Sequence, residues 1–303
     1  MAEESELHRG LTKRSARVGV AGWSYPDWGG IVYPKEPRFD GLSYLATLFD
    51  TLEINSSFYR IPTSRTTASW AKRVLSNPEF RFTLKLYKGF THERTATAGD
   101  ELMFAEALAP LTDAGVLGAL LLQFPWSFKN DPESRDYLST TLERFARHPL
   151  VVEVRHASWN QGEFYSFLAE RGVGFCNIDQ PLIGRSLAPS DRATGPVGYV
   201  RLHGRNYRDW FREDAGRDAR YNYLYSEEEL DPWVEKISEV SGTASSTYVI
   251  TNNHFRGQAV VNALQIRSRI EKRKVAAPPS LLEHYPVLAR SAEPDSPVQP
   301  GLF

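Results

Sequence analysis

Cysteine is almost absent. Cys176 is the only one in 303 residues, which excludes an intramolecular disulfide and a zinc site built from thiolates. Net charge is almost absent too, with 36 Lys and Arg against 37 Asp and Glu. A chain coated in nucleic acid is therefore not expected, although a local basic patch is compatible with this balance. No apolar run approaches the roughly 18 residues that a membrane span needs. The first residues, Met1 to Arg17, are charged and lack the apolar core of a secretory signal. The default expectation is a cytoplasmic protein with no membrane contact. No Gly-rich phosphate fingerprint follows a strand pattern, and no His-Glu-x-x-His pair occurs. Apolar residues are plentiful at 41%, and 7 Trp, 14 Tyr and 16 Phe supply rings for a core or a cleft.

The stretch from Leu150 to Trp159 organises the reading. It opens as a β-branched apolar run with no helical period, the pattern of a strand buried on both faces. Glu153 and Arg155 then interrupt it. Alternate residues of a strand share a face, so these two would stand roughly 6–7 Å apart. Burying a carboxylate and a guanidinium there is costly unless they are paired or employed. The pattern recurs along the chain. Further strands are expected at 18–23, 52–55, 80–87, 117–124, 173–179, 197–203 and 248–252, mostly followed by segments of helical spacing. The stretch 180–196 is rich in Pro, Gly and Ser and shows no helix. Eight strands in this alternation predict a single (β/α)8 TIM barrel over residues 17–272. A polar leader, 1–16, would precede it, and a Pro-rich, loosely held tail, 273–303, would follow. An open doubly wound sheet is the alternative, but its glycine fingerprint is missing.

Active sites of such barrels lie at the C-terminal ends of the strands. Those ends read Trp23, Glu53 with Asn55, Lys85 with Tyr87, Gln123, Glu153 with Arg155, Asn177 with Asp179, Arg201 with His203, and Asn252. A purely structural barrel would fill these positions mostly with branched aliphatics, so the set points to a site. Glu153 is the candidate general acid or base, with Glu53 as its partner and His203 as a proton shuttle. Lys85, Arg155 and Arg201 make a cationic set suited to phosphate or carboxylate. Asn55, Gln123, Asp179, Asn252 and Trp23 complete the proposed binding residues. Tyr223 joins them from a run in which Tyr221, Tyr223 and Tyr225 alternate, as on one face of an extended segment. Each has an ordinary competing role: salt-bridge partner, snorkelling lysine, capping carboxylate, or rings packing a loop over the barrel. No cofactor is expected. A divalent metal, if bound, would take Glu153, Asp179 and His203, but Arg155 and Arg201 beside those groups oppose it.

Seven motifs together resemble the YecE-like family, domain of unknown function 72. They are Gly22-Trp-Ser-Tyr25, Glu53-Ile-Asn-Ser-Ser-Phe-Tyr59, Phe82-Thr-Leu-Lys85, Gln123-Phe-Pro125, Glu153-Val-Arg-His156 with Trp159, Tyr199-Val-Arg-Leu-His-Gly204 and Asn252-Asn253. The resemblance runs in order through residues 18 to 270. It implies a TIM barrel and no established reaction. At the C-terminus, Gln299, Leu302 and Phe303 look like the anchors of a bacterial sliding-clamp-binding pentapeptide, although Pro300 departs from its pattern.

Three functions fit these residues. The first is an acid/base enzyme on an anionic, phosphate-bearing substrate, with a link to nucleic acid through the clamp-like tail. The second is a carbohydrate enzyme, a glycosidase or sugar isomerase using Glu53 and Glu153. The third is a ligand- or nucleic-acid-binding module without turnover. Fold alone does not choose among them.

Overall fold

A computed structural model describes residues 16–208 and 219–295. Within them, eight parallel strands close into a barrel in sequence order, and the last pairs with the first. They are β1 (Arg17–Ala21), β2 (Thr51–Ile54), β3 (Arg81–Lys85), β4 (Leu117–Gln123), β5 (Leu150–Glu153), β6 (Gly174–Asp179), β7 (Val197–Leu202) and β8 (Ser246–Thr251). Outer helices follow seven of the strands: Gly41–Leu48, Ser64–Val74, Ala98–Asp113, Pro132–Arg144, Gly162–Glu170, Glu227–Thr243 and Gln258–Glu271. The connection from β6 to β7 runs without a helix, as its composition predicts. No helix among the described residues is long and apolar enough to cross a membrane.

Local chemistry sets these elements. Thr97 with Asp100, and Ser226 with Glu229, form reciprocal capping boxes that satisfy the first free N–H groups of their helices. Asp131 caps another, helped by Pro132 at its first position. Gly19 allows β1 to approach β2, because a Cβ there would collide with the Thr51 carbonyl oxygen. Strands end sooner than the alternation suggests. Trp23, Asn55, Tyr87, Arg155, His203 and Asn252 all lie just beyond their strands. The chain has to turn outward over the rim to begin each covering helix, which breaks parallel pairing before the polar pattern stops.

The tail differs from the loose segment expected. Val275–Ala277 and Ala292–Pro294 pair as a parallel two-stranded sheet, joined by the helix Pro279–His284 and the turn Pro286–Arg290. Leu281 and Leu288 are fully buried. The prolines here stiffen the chain: Pro279 and Pro286 each open a helical turn, where a fixed φ and a missing N–H cost nothing. The elements are too short to show a period. Gln299, Leu302 and Phe303 lie outside the described residues.

Leu281→Ala should lower unfolding stability by about 2–5 kcal/mol in urea titrations, the cost of a cavity in a packed core. A loosely held tail would leave the midpoint unchanged.

A cationic cavity at the barrel mouth

Arg201, near the end of β7, is 1% exposed and stands between two carboxylates that are fully buried. Its Nη2 donates to Glu53 Oε1 of β2 at 2.7 Å, and its Nη1 donates to Glu153 Oε2 of β5 at 2.5 Å. The remaining oxygens are also engaged. The Tyr199 hydroxyl donates to Glu53 Oε2 at 2.8 Å and lies 2.7 Å from Thr83 Oγ1. Arg155, just past β5, folds back so that its Nε and Nη2 donate to Glu153 Oε1 at 3.0 and 2.8 Å. Parallel strands put these residues at one level inside the barrel, where branched aliphatics would ordinarily sit.

Above this cluster lies a cavity of about 160 Å³. Lys85, Arg155 and Arg201 line it, with Asn55, Gln123, His203 and Asn252. Tyr25, His254 and Tyr221 build one wall as a run of rings, Tyr25 stacked on His254 at 4.4 Å and Tyr221 tilted against it at 4.9 Å. Tyr59 stands at the rim, largely exposed. Among the described residues no Asp or Glu lines the cavity. A second cavity, of about 190 Å³, adjoins it and shares Gln123, Arg155 and Tyr221.

Burial and crowding of like charge set the protonation states. Burial opposes the Glu153 charge, but Arg201 and Arg155 override it and hold the carboxyl well below the usual range. Burial, then Arg201, pushes the Lys85 ammonium down to about 7. Its Nζ lies 4.1 Å from the centroid of the Phe58 ring, and no ion pair to it forms among the described residues. Burial, then Arg155 and Arg201, pushes His203 down to about 3. His203 Nδ1 lies 3.0 Å from Asn252 Nδ2, and its Nε2 lies 3.2 Å from Arg155 Nη2 and 3.5 Å from Glu153 Oε1. His203 is thus neutral near pH 7.

Most of the residues expected from sequence do converge, in two layers. Lys85, Arg155, Arg201, His203, Asn55, Gln123 and Asn252 line the inner cavity, whereas Glu53 and Glu153 lie behind it. Three others go elsewhere. Trp23 turns outward to meet Trp70 edge-on. Asp179 accepts from Arg205 Nε at 3.1 and 2.9 Å and is hydrogen-bonded to the Tyr225 hydroxyl. Tyr223 donates to Glu229 Oε1 at 2.5 Å and lines neither cavity. The segment 219–225 is not extended, so its tyrosines do not share a face. Tyr221 faces the cavity, while Tyr225 is buried and accepts from the Gly204 N–H. Asn177 braces the 180–196 connection by accepting from Ser190 Oγ and Arg192 N.

The trio Glu153, Asp179 and His203 is therefore not assembled as a ligand set. Among the described residues no group of three or more His, Cys, Asp or Glu side chains is placed to share a metal ion. Sequence reasoning missed Tyr25, Tyr59 and His254 in the inner cavity, and His92, Trp126, Gln180 and Arg220 in the outer one. Tyr25 and Tyr59 stand inside the resemblance motifs. Gln180 follows directly on β6, a signal that strand-end reading could have used.

The sequence model of a family described as proteins of unknown function, DUF72, matches residues 17–284. The UPF0759 protein YunF of Bacillus subtilis is 31% identical over 265 residues, 82% of this chain and 92% of that protein. Among solved structures, a DUF72 family protein from Thermotoga maritima is 34% identical. The likeness spans 84% of this chain and 99% of that one, with a TM-score of 0.73. Another, from Enterococcus faecalis, is 29% identical over 84% of this chain and 95% of its own, with a TM-score of 0.74.

Arg201→Met would leave two buried carboxylates facing one another, and should cost about 3–5 kcal/mol of stability in denaturant titrations. Adding Glu53→Gln and Glu153→Gln should recover part of that loss. A cost under about 1 kcal/mol would mean that the cluster behaves like a solvated surface pair.

Proposed function

This chain belongs to the DUF72 family of proteins of unknown function, and from that footing we propose that its barrel mouth is an acid/base active site for a small anionic, phosphate-bearing substrate. One observation carries the reading. Lys85, Arg155 and Arg201 line a cavity that, among the described residues, has no Asp or Glu in its wall. The carboxylates that balance two of these cations sit beneath it, so the opening itself presents positive charge. A guanidinium fits two oxygens of a phosphate or carboxylate at once, and a clamped guanidinium loses little freedom on binding. Arg201 also keeps a buried Nε with no hydrogen-bond partner among the described residues. Such a donor is costly to leave unmade and is satisfied by a ligand oxygen or a water.

The division of labour differs from a two-carboxylate mechanism. Glu153 stays ionised, with both oxygens committed to guanidinium groups. Its part is to orient Arg155 and Arg201. Glu53 does the same for the far side of Arg201. Lys85 is the better proton carrier, because a pKa of about 7 balances the free amine and the ammonium near neutrality. The amine takes a proton from the substrate, while Arg155 and Arg201 stay charged and stabilise the negative charge that develops. A glycosidase has less support. It needs the space between its two carboxylates for sugar or water, and here the Arg201 guanidinium fills that space.

Anion binding should stabilise the charged form of Lys85 and so draw in a proton. Calorimetry of phosphate at pH 8 in buffers of different ionisation enthalpy should report uptake approaching one proton per anion bound. Lys85→Met should abolish the uptake and weaken phosphate about tenfold or more. Equal phosphate affinity in Lys85→Met and the unaltered protein would overturn the anion site. Binding without turnover of any phosphate ester tried would leave a binding module.

A further inference from the structure

The outer cavity is built differently from the inner one. Its distinctive side chain is Trp126, a large apolar group that remains 38% exposed directly after Pro125. The indole is held in place from one side: His156 meets it at a centroid distance of 5.0 Å and an interplanar angle of 75°. His156 is itself fixed by accepting at Nδ1 from the Ser158 N–H, 3.1 Å away. A large ring kept ordered but open is a stacking surface. Opposite in kind, Gln180 is 3% exposed and lines the same cavity, and its Nε2 has no hydrogen-bond partner among the described residues. A buried amide donor without an acceptor is rare in folded proteins and calls for an explanation.

We infer that the ligand of this site is a phosphorylated planar heterocycle, the chemistry of a nucleoside monophosphate, with its phosphate in the inner cavity and its ring in the outer one against Trp126. This rests on the anion reading of the inner cavity. Gln123, Arg155 and Tyr221 line both cavities, so one small molecule can run from one to the other. Their volumes, about 160 and 190 Å³, suit a phosphate and a flat ring better than a bulky group. The choice of a heterocycle over a sugar ring follows from the polar groups. Gln180 Nε2 offers a donor, and among the described residues no carboxylate lines the outer cavity to accept from hydroxyls. A ring rich in carbonyl oxygens and ring nitrogens meets that surface, and its π-face meets the indole.

The test is calorimetric titration of the full chain with a purine and a pyrimidine nucleoside monophosphate, ribose 5-phosphate and inorganic phosphate. At least one nucleotide should bind about tenfold or more tightly than ribose 5-phosphate. Trp126→Ala and Gln180→Ala should each erase most of that advantage while ribose 5-phosphate affinity stays the same, which also shows that the variants are folded. Equal affinity for nucleotides and ribose 5-phosphate would overturn the inference and leave the anion site standing. Failure of every phosphate to bind, with Lys85→Met indistinguishable, would overturn both.

Discussion

A guanidinium locked between two carboxylates inside a closed barrel is the constraint on which the rest of this structure depends. Arg201 is among the largest fully buried side chains, and its charge is met by Glu53 and Glu153 from strands on either side of the barrel. An aliphatic layer of equal volume would often be as stable or more so, because desolvating three charges offsets much of their attraction. The cluster gives the barrel something an aliphatic layer does not. It holds a cation rigidly under the mouth, with its direction set by two partners rather than by a flexible stem. Arg155 folds back onto the same carboxylate, so two guanidinium groups share one anchor.

The electrostatics of the mouth follow from that arrangement. Arg201 and Arg155 are the charges that lower both the Glu153 carboxyl and the His203 imidazole, and Arg201 adds to burial at Lys85. Burial and Lys85 then act together on His92, which falls to about 4. One physical cause, cations crowded where water is scarce, thus produces an ionised acid, two neutral imidazoles and a lysine poised near neutrality. The run of rings formed by Tyr25, His254 and Tyr221 bounds this field on one side. It narrows the opening without bringing in a compensating negative charge.

The barrel was legible because its signals are local and repeated. Short apolar runs such as Leu117–Gln123, closed by Pro125, read as strands buried on both faces, and capped helices between them leave little choice of topology. Strand-end polarity likewise located the mouth, since a charge that closes an apolar strand belongs at the rim or in a pair. The tail was misread for the converse reason. Val275–Ala277 and Ala292–Pro294 have three residues each, too few for any period, and their partner lies well along the chain.

Sequence alone determined the fold, the end of the barrel that carries the polar cavity, and the cations that line it, because each of these depends on residue type and on a spacing of a few residues. Which charges meet was decided only by the tertiary structure. Glu53 and Arg201 are 148 residues apart in the chain, and their pairing depends on strand register around a closed sheet, not on either local sequence. The same holds for the tyrosines, where a single turn sends Tyr221 to the cavity and Tyr223 to Glu229. It holds also for Glu153. Its type suggested an acid or base, and two guanidinium groups folding onto its oxygens hold its carboxyl well below the usual range. Local pattern sets where polar groups lie; long-range register sets what each one faces, and what it faces sets its charge.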